Sequence, residues 1–215
     1  MPMATNMMPT TLNLSADGEI SAAPDMATIS FGVVTQSMTA SAAMKANNIR
    51  MNQVLAALKS AGIDAKDIQT SSLNLSPQYN YDNNGAPPKL TGYQAQNQVT
   101  VRVNKLDQTG PVIDAVIAAG VNQIDAINFG LKDDDAALDA ARQDAVKTLM
   151  QRANLYASAL GMKIKRVQNL SEGGPSYSPP RPMAMAGLMA KDASTPVAAG
   201  EMKLSVTVSA VFELE

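Results

Sequence analysis

The chain predicts an α+β protein in which a mostly antiparallel sheet of about seven or eight strands packs on three helices. Three observations carry that class. Residues 133–161 repeat apolar side chains at helical spacing. Several other segments alternate apolar and polar residues cleanly, which marks strands with one solvated face. From Met26 onward the order is strand, helix, strand, strand, helix, strand, the ferredoxin-like split β-α-β pattern.

Residues 11–21 form the first strand, with Leu12, Leu14, Ala16 and Ile20 on alternate positions and Gly18 expected as a bulge. Pro24-Asp25 turns the chain into a second strand, residues 26–36, where Ile29, Phe31 and Val33 share a side; the two strands are expected to pair as a hairpin. Residues 39–61 have helical period, with a stripe of Met44, Met51, Val54, Leu55 and Leu58 and a stop at Gly62. Asn47 and Asn48 fall beside that stripe. Either one of them is buried and hydrogen-bonded or, the preferred reading, both face water at its edge. Residues 68–81 alternate again, with Leu73, Leu75, Pro77, Tyr79 and Tyr81 on one side, and lead through a turn-rich loop at 82–88 into residues 93–103. There Val99, Val101 and Val103 face together, so the pair reads as a second hairpin. A short helix at 111–119 starts on Pro111 and stops at Gly120, and a strand follows at 124–131 through Ile127, Phe129 and Leu131.

The helix at 133–161 is the longest periodic segment, and the rest of the chain is expected to be organised around it. Its stripe is Leu138, Ala141, Ala145, Leu149, Ala153, Tyr156 and Leu160. Three alanines in that stripe let a sheet approach closely, and Asp133, Asp134 and Asp135 sit where the helix dipole favours anions. Strands at 163–172 and 202–214 close the chain. The last alternates without a break from Leu204 to Leu214, and at a sheet edge it would offer unpaired backbone groups to another chain. Between them lies a Pro/Met/Ala-rich arm at residues 173–200, longer than the roughly 12–15 residues beyond which loops are usually functional or disordered. It reads either as a mobile arm or as one that docks on a neighbouring subunit, together with the polar strand faces. The expected organisation is a disordered leader, residues 1–10, and one domain, residues 11–215, carrying the arm at 173–200.

Composition removes whole classes of chemistry. Lys and Arg number 17 against 19 Asp and Glu, scattered along the chain, so neither a nucleic-acid footprint nor a polybasic membrane patch is present. The absence of Cys and His excludes thiolate and imidazole chemistry, including zinc fingers and Ser-His-Asp relays. Ser41, Ser60 and Ser158 have no His to activate them, and Gly173-Gly174-Pro175 lacks phosphate-loop spacing. Asp133, Asp134 and Asp135 form the one carboxylate run, which suits a helix start better than acid–base or cation chemistry. No catalytic, cofactor-binding or metal-ligating residue is therefore assigned, and no cofactor is expected. Methionine is abundant, with 14 residues, including Met183, Met185 and Met189 in the arm and Met1, Met3, Met7 and Met8 at the start. Thioethers select Cu(I) and oxidise reversibly, but packing in an irregular subunit interface is the preferred role. No apolar run reaches the roughly 20 residues that span a bilayer, and the start lacks the basic and apolar regions of a signal peptide. Such a signal is either absent or already removed.

Six segments together carry a family resemblance: residues 18–31 (GEISAAPDMATISF), 43–59 with Ala46-Asn47-Asn48, 62–79 (GIDAKDIQTSSLNLSPQY), 91–103 (TGYQAQNQVTVRV), 140–172 and 198–215 (AAGEMKLSVTVSAVFELE). In that order they resemble the SIMPL-domain family, which includes bacterial oxidative-stress defence proteins. The resemblance implies a periplasmic or outer-membrane-associated bacterial protein, assembly into a large ring-like or channel-like homo-oligomer, and a link to oxidative-stress defence. The expected function is thus that of a non-enzymatic cell-envelope protein whose partner is its own kind, with no nucleic-acid partner and no small-molecule ligand assigned. The alternative is a periplasmic binding or scavenging module that uses the Met-rich arm for oxidant or Cu(I).

Overall fold

The computed structural model describes residues 9–81, 87–181, 195 and 197–215. Along the chain run β1 (Thr10–Ala22), β2 (Met26–Ser37), α1 (Ala40–Ser60), β3 (Ile68–Asn80), β4 (Lys89–Val103), α2 (Thr109–Ala118), β5 (Gln123–Gly130), α3 (Asp135–Ala159), β6 (Ile164–Glu172), β7 (Ser176–Arg181) and β8 (Glu201–Leu214). The α+β class and its antiparallel pairing are as expected. The eight strands, however, form two four-stranded sheets rather than one, and the chain divides into two compact units. A middle unit spans Pro24–Lys132 with Ala184–Ala199; a terminal unit gathers Met1–Ala23, Asp133–Met183 and Gly200–Glu215. The long helix α3 therefore organises the terminal unit alone. Of the expected leader, residues 1–8 lie outside the described residues, as do 82–86 of the loop and 182–194 and 196 of the arm.

In the terminal unit β8 is the central strand, not an edge. β1 pairs with it antiparallel from Thr10↔Leu214 to Ala22↔Met202, which also removes the expected hairpin of β1 with β2. On its other side β6 covers the end near Leu214, and β7 covers the beginning, from Ser176↔Ser205 to Arg181↔Glu201. The start of the expected arm is therefore strand. Gly173, between β6 and β7, keeps the ladder going by donating its N–H to the Thr207 carbonyl at 2.9 Å. Met202, Leu204, Val206, Val208, Ala210, Phe212 and Leu214 all turn to the same side and are buried, facing the helix stripe of Leu138, Ala141, Ala145, Leu149, Ala153 and Ala157. Tyr156 and Leu160, expected in that stripe, are exposed. Successive steps of four from Ala141 to Ala157 follow one ridge of the helix, and residue 157 stays on it where 156 has rotated off.

Gly18 is no bulge, because the register of β1 with β8 runs through it unbroken. A Cβ there would collide with the Ala141 carbonyl oxygen and the Ala145 nitrogen of α3. Glycine and the two fully buried alanines thus let strand and helix backbones touch.

The middle unit has sheet order β3-β4-β2-β5, all antiparallel, which with α1 and α2 is the ferredoxin-like arrangement expected from the element order. Ile29, Phe31 and Val33 of β2 and Val99, Val101 and Val103 of β4 are fully buried against Met51, Val54 and Leu58 of α1 and Val112, Ile113 and Val116 of α2. Thr39 caps α1 by accepting the Ala42 N–H at 3.2 Å. Asn47, expected at the water-facing edge, is instead fully buried. Its Nδ2 donates to the carbonyls of Val33 (2.8 Å) and Ala95 (3.1 Å), tying α1 to two neighbouring strands, while Asn48 is exposed.

Candidate functional site

The carboxylate run before α3 is occupied with local structure. The Asp133 carboxylate accepts the Asp135 N–H at 3.1 Å, and Asp134 accepts the Tyr177 hydroxyl at 2.6 Å. That hydrogen bond to Asp134 is the main reason the Tyr177 hydroxyl titrates above its ordinary range. Among the described residues no group of three or more acidic side chains converges as a metal site. Met183, Met185 and Met189 lie outside the described residues.

Two charged clusters sit on the sheets. Glu213 of β8 keeps only 6% of its side chain exposed, and Lys165 Nζ (2.8 Å), Arg166 Nε (2.7 Å) and Gln168 Nε2 (3.0 Å) all donate to its carboxylate. Hydrogen bonding by Lys165, then by Gln168 and Arg166, outweighs desolvation and holds its pKa down at about 2. In the middle unit a cavity of about 590 Å³ sets Lys66, Arg102 and Lys132 around Asp67, whose carboxylate accepts Asn104 Nδ2 at 2.9 Å. The Glu213 carboxylate is fully partnered, whereas Arg102 reaches Asp67 only at 4.0 Å, and neither cluster defines a reaction.

The feature that points outward is β3. It is an edge strand, bonded to β4 on one side only. The register places Leu73 opposite Asn97 and Leu75 opposite Ala95, so both leucines lie on the side of the sheet that faces α1. Sequence alternation therefore gave the right side for them but the wrong surroundings. Leu73 is 57% exposed and Leu75 40%, and Tyr79, Tyr81 and Leu90 continue the exposed apolar strip. Beside it, Leu55, Ile63 and Ile68 line an open apolar cavity of about 560 Å³. The opposite side of the strand is polar: Ser72 donates to Gln98 at 2.9 Å, in a ladder that runs on through Gln98 to Asp125 and Gln96 to Gln123, each at 3.0 Å.

Edge strands ordinarily carry charges that discourage pairing with another chain. The other edges follow that rule, with Asp17 and Glu19 on β1, Asp125 on β5, and Lys165, Arg166 and Glu172 on β6. β3 has no charged residue in its 13 positions. A register shift at Ser71 and the proline at position 77 bound a regular stretch between them, from Ser72 to Ser76. In the sequence only the proline at position 77 points to an edge, since the interior strand β2 is as free of charge as β3.

Fold and surface together define a two-sheet α+β protein with one unguarded apolar edge and no converged chemical site among the described residues. The model of the SIMPL family, "Protein of unknown function (DUF541)", matches residues 12–212, and the chain belongs to that family. The 26 kDa periplasmic immunogenic protein of Brucella melitensis is 37% identical over 96% of this chain and 86% of its own length. Its counterpart in Brucella abortus is 36% identical over the same shares. The Escherichia coli protein YggE, named as uncharacterized, is 29% identical over 94% of this chain and 82% of its own length. None of these names states an enzymatic activity. Among the described residues no helix is long and apolar enough to cross a membrane.

Proposed function

We propose that the chain is a non-enzymatic periplasmic protein that works as a homo-oligomer, closed into a ring-like or channel-like assembly in the cell envelope and serving oxidative-stress defence. The periplasmic placement follows the names of the Brucella relatives. The observation that carries the assembly is β3: an edge strand with free backbone groups, no charge and two half-exposed leucines. Completing that edge with another chain removes apolar surface from water and satisfies backbone donors and acceptors together. Ring closure takes a further, head-to-tail contact, and the Pro/Met/Ala-rich arm at residues 173–200 is proposed as a segment that docks on a neighbouring subunit.

Sedimentation velocity of the full chain at micromolar concentration tests the reading. A species well above the monomer is expected, and the double variant Leu73→Asp/Leu75→Asp is expected to shift it to a smaller one with its melting temperature kept. A wild-type protein that sediments as a monomer overturns the assembly.

A further inference from the structure

We infer that a second copy of this chain pairs with β3 through an antiparallel two-fold contact centred on Asn74. The inference rests on the homo-oligomer reading and specifies one of its contacts. Ser72-Leu73-Asn74-Leu75-Ser76 reads the same in both directions. In an antiparallel pair across a two-fold axis, partners occupy mirror positions about the centre. With Asn74 at the centre, Leu73 lies opposite the partner subunit's Leu75, Ser72 opposite the partner subunit's Ser76, and Asn74 opposite its own equivalent. Moving the centre to Leu73 sets Leu75 against serine. Moving it to Leu75 sets Leu73 against proline, which has no N–H to give. The centre at Asn74 is thus the one that pairs like with like.

Both faces of the joined sheets then agree in chemistry. Leu73 and Leu75 share the side of Asn97 and Ala95, so four leucines from two copies meet on the side that faces the helices. The cavity lined by Leu55, Ile63 and Ile68 leaves that side open. Asn74 and Ser72 share the side of Gln96 and Gln98, so the polar ladder continues from one copy into the next. No charge on either strand opposes the approach, because β3 has none. The bulge at Ser71 and the missing N–H of Pro77 stop the pairing at either end, which fixes the register and prevents open-ended growth.

Because the chain has no cysteine, one introduced thiol reports on one position without background. The full chain carrying Asn74→Cys is treated with a mild oxidant or a short bis-maleimide, beside Ile124→Cys, an exposed position on the other edge of the same sheet. Thiols held together reach effective concentrations near millimolar, so Asn74→Cys at micromolar concentration is expected to give about tenfold or more covalent dimer than Ile124→Cys. Mixing Leu73→Cys with Leu75→Cys is expected to link the two chains better than either alone, which tests the register without altering Asn74. If the wild type is oligomeric but Asn74→Cys links no better than Ile124→Cys and the mixture links no better than its parts, the two-fold contact is wrong and the assembly stands. A monomeric wild type overturns both.

Discussion

β8 and β3 look alike as sequence, each a long alternation of apolar and polar residues, yet they occupy opposite situations. β8 is paired along both sides and buries its alternate apolar residues, from Met202 through Phe212 to Leu214, under α3. β3 is paired on one side and leaves Leu73 and Leu75 half in water. Alternation states which residues share a side and is silent about what covers that side. Coverage depends on which strand is central and where the helices lie, and both are long-range facts: β8 is joined to β1 across nearly the whole chain.

The same substitution in the two strands should have opposite effects, and the contrast is the largest expected here. Leu204→Asp places a carboxylate where the side chain is fully buried, at a cost of several kcal/mol against a net stability of about 5–15 kcal/mol, so the terminal unit is expected to unfold. Leu73→Asp, at a position 57% exposed, is expected to stay within about 0.5 kcal/mol and to act on assembly instead. Circular dichroism melts read the first effect and sedimentation the second. Equal melting temperatures for the two variants would erase the distinction between the strands.

A smaller effect probes why β1 lies so close to α3. Gly18→Ala adds a single methyl group whose nearest neighbours are backbone atoms of Ala141 and Ala145, which have no rotamer to yield. The strand must shift, at a cost of about 1–3 kcal/mol. An unchanged melting temperature would mean that the helix–strand contact has slack, and that Gly18 is there for another reason.

Much of the fold was legible, and what escaped has physical causes. The element order from β2 to β5 anticipated the ferredoxin-like sheet because hairpins and short crossovers leave few alternatives. Two sheets instead of one were not legible, since the partner of β1 is the last strand of the chain and local pattern carries no record of so distant a pairing. Asn47 was misplaced because helical period assigns it to the border of the apolar stripe, whereas the carbonyls of Val33 and Ala95 that it satisfies belong to strands 14 and 48 positions away. Replacing Asn47 by Leu leaves both carbonyls without that donor and is expected to cost about 1–3 kcal/mol, measurable by urea unfolding. The absence of His and Cys removes imidazole and thiolate chemistry at the level of composition, before any fold is known. The unguarded edge was not anticipated, because an uncharged strand reads equally well as buried or as waiting for a partner.

The smallest expected effect concerns charge, which β8 carries and β3 lacks. Glu213 is the buried acid of β8, and its carboxylate is held down at about 2 first by Lys165, then by Gln168 and Arg166. A carboxyl whose pKa falls on folding adds stability that is fully present above its ordinary value of about 4.5 and fades as pH drops through the folded value of about 2. Glu213→Gln should therefore melt below the wild type at neutral pH, and the gap should narrow between about pH 4.5 and pH 2. β3 has no carboxylate or ammonium of its own, so the pairing proposed for it gives no titration in that range while the protein stays folded. Melting and sedimentation followed together over the same pH series separate the two strands. If the melting gap between Glu213→Gln and wild type is constant across the series, the ion cluster on β8 contributes nothing that titrates. If oligomer mass instead falls with pH while the melting temperature holds, a titrating group lies in the contact and β3 alone does not make it.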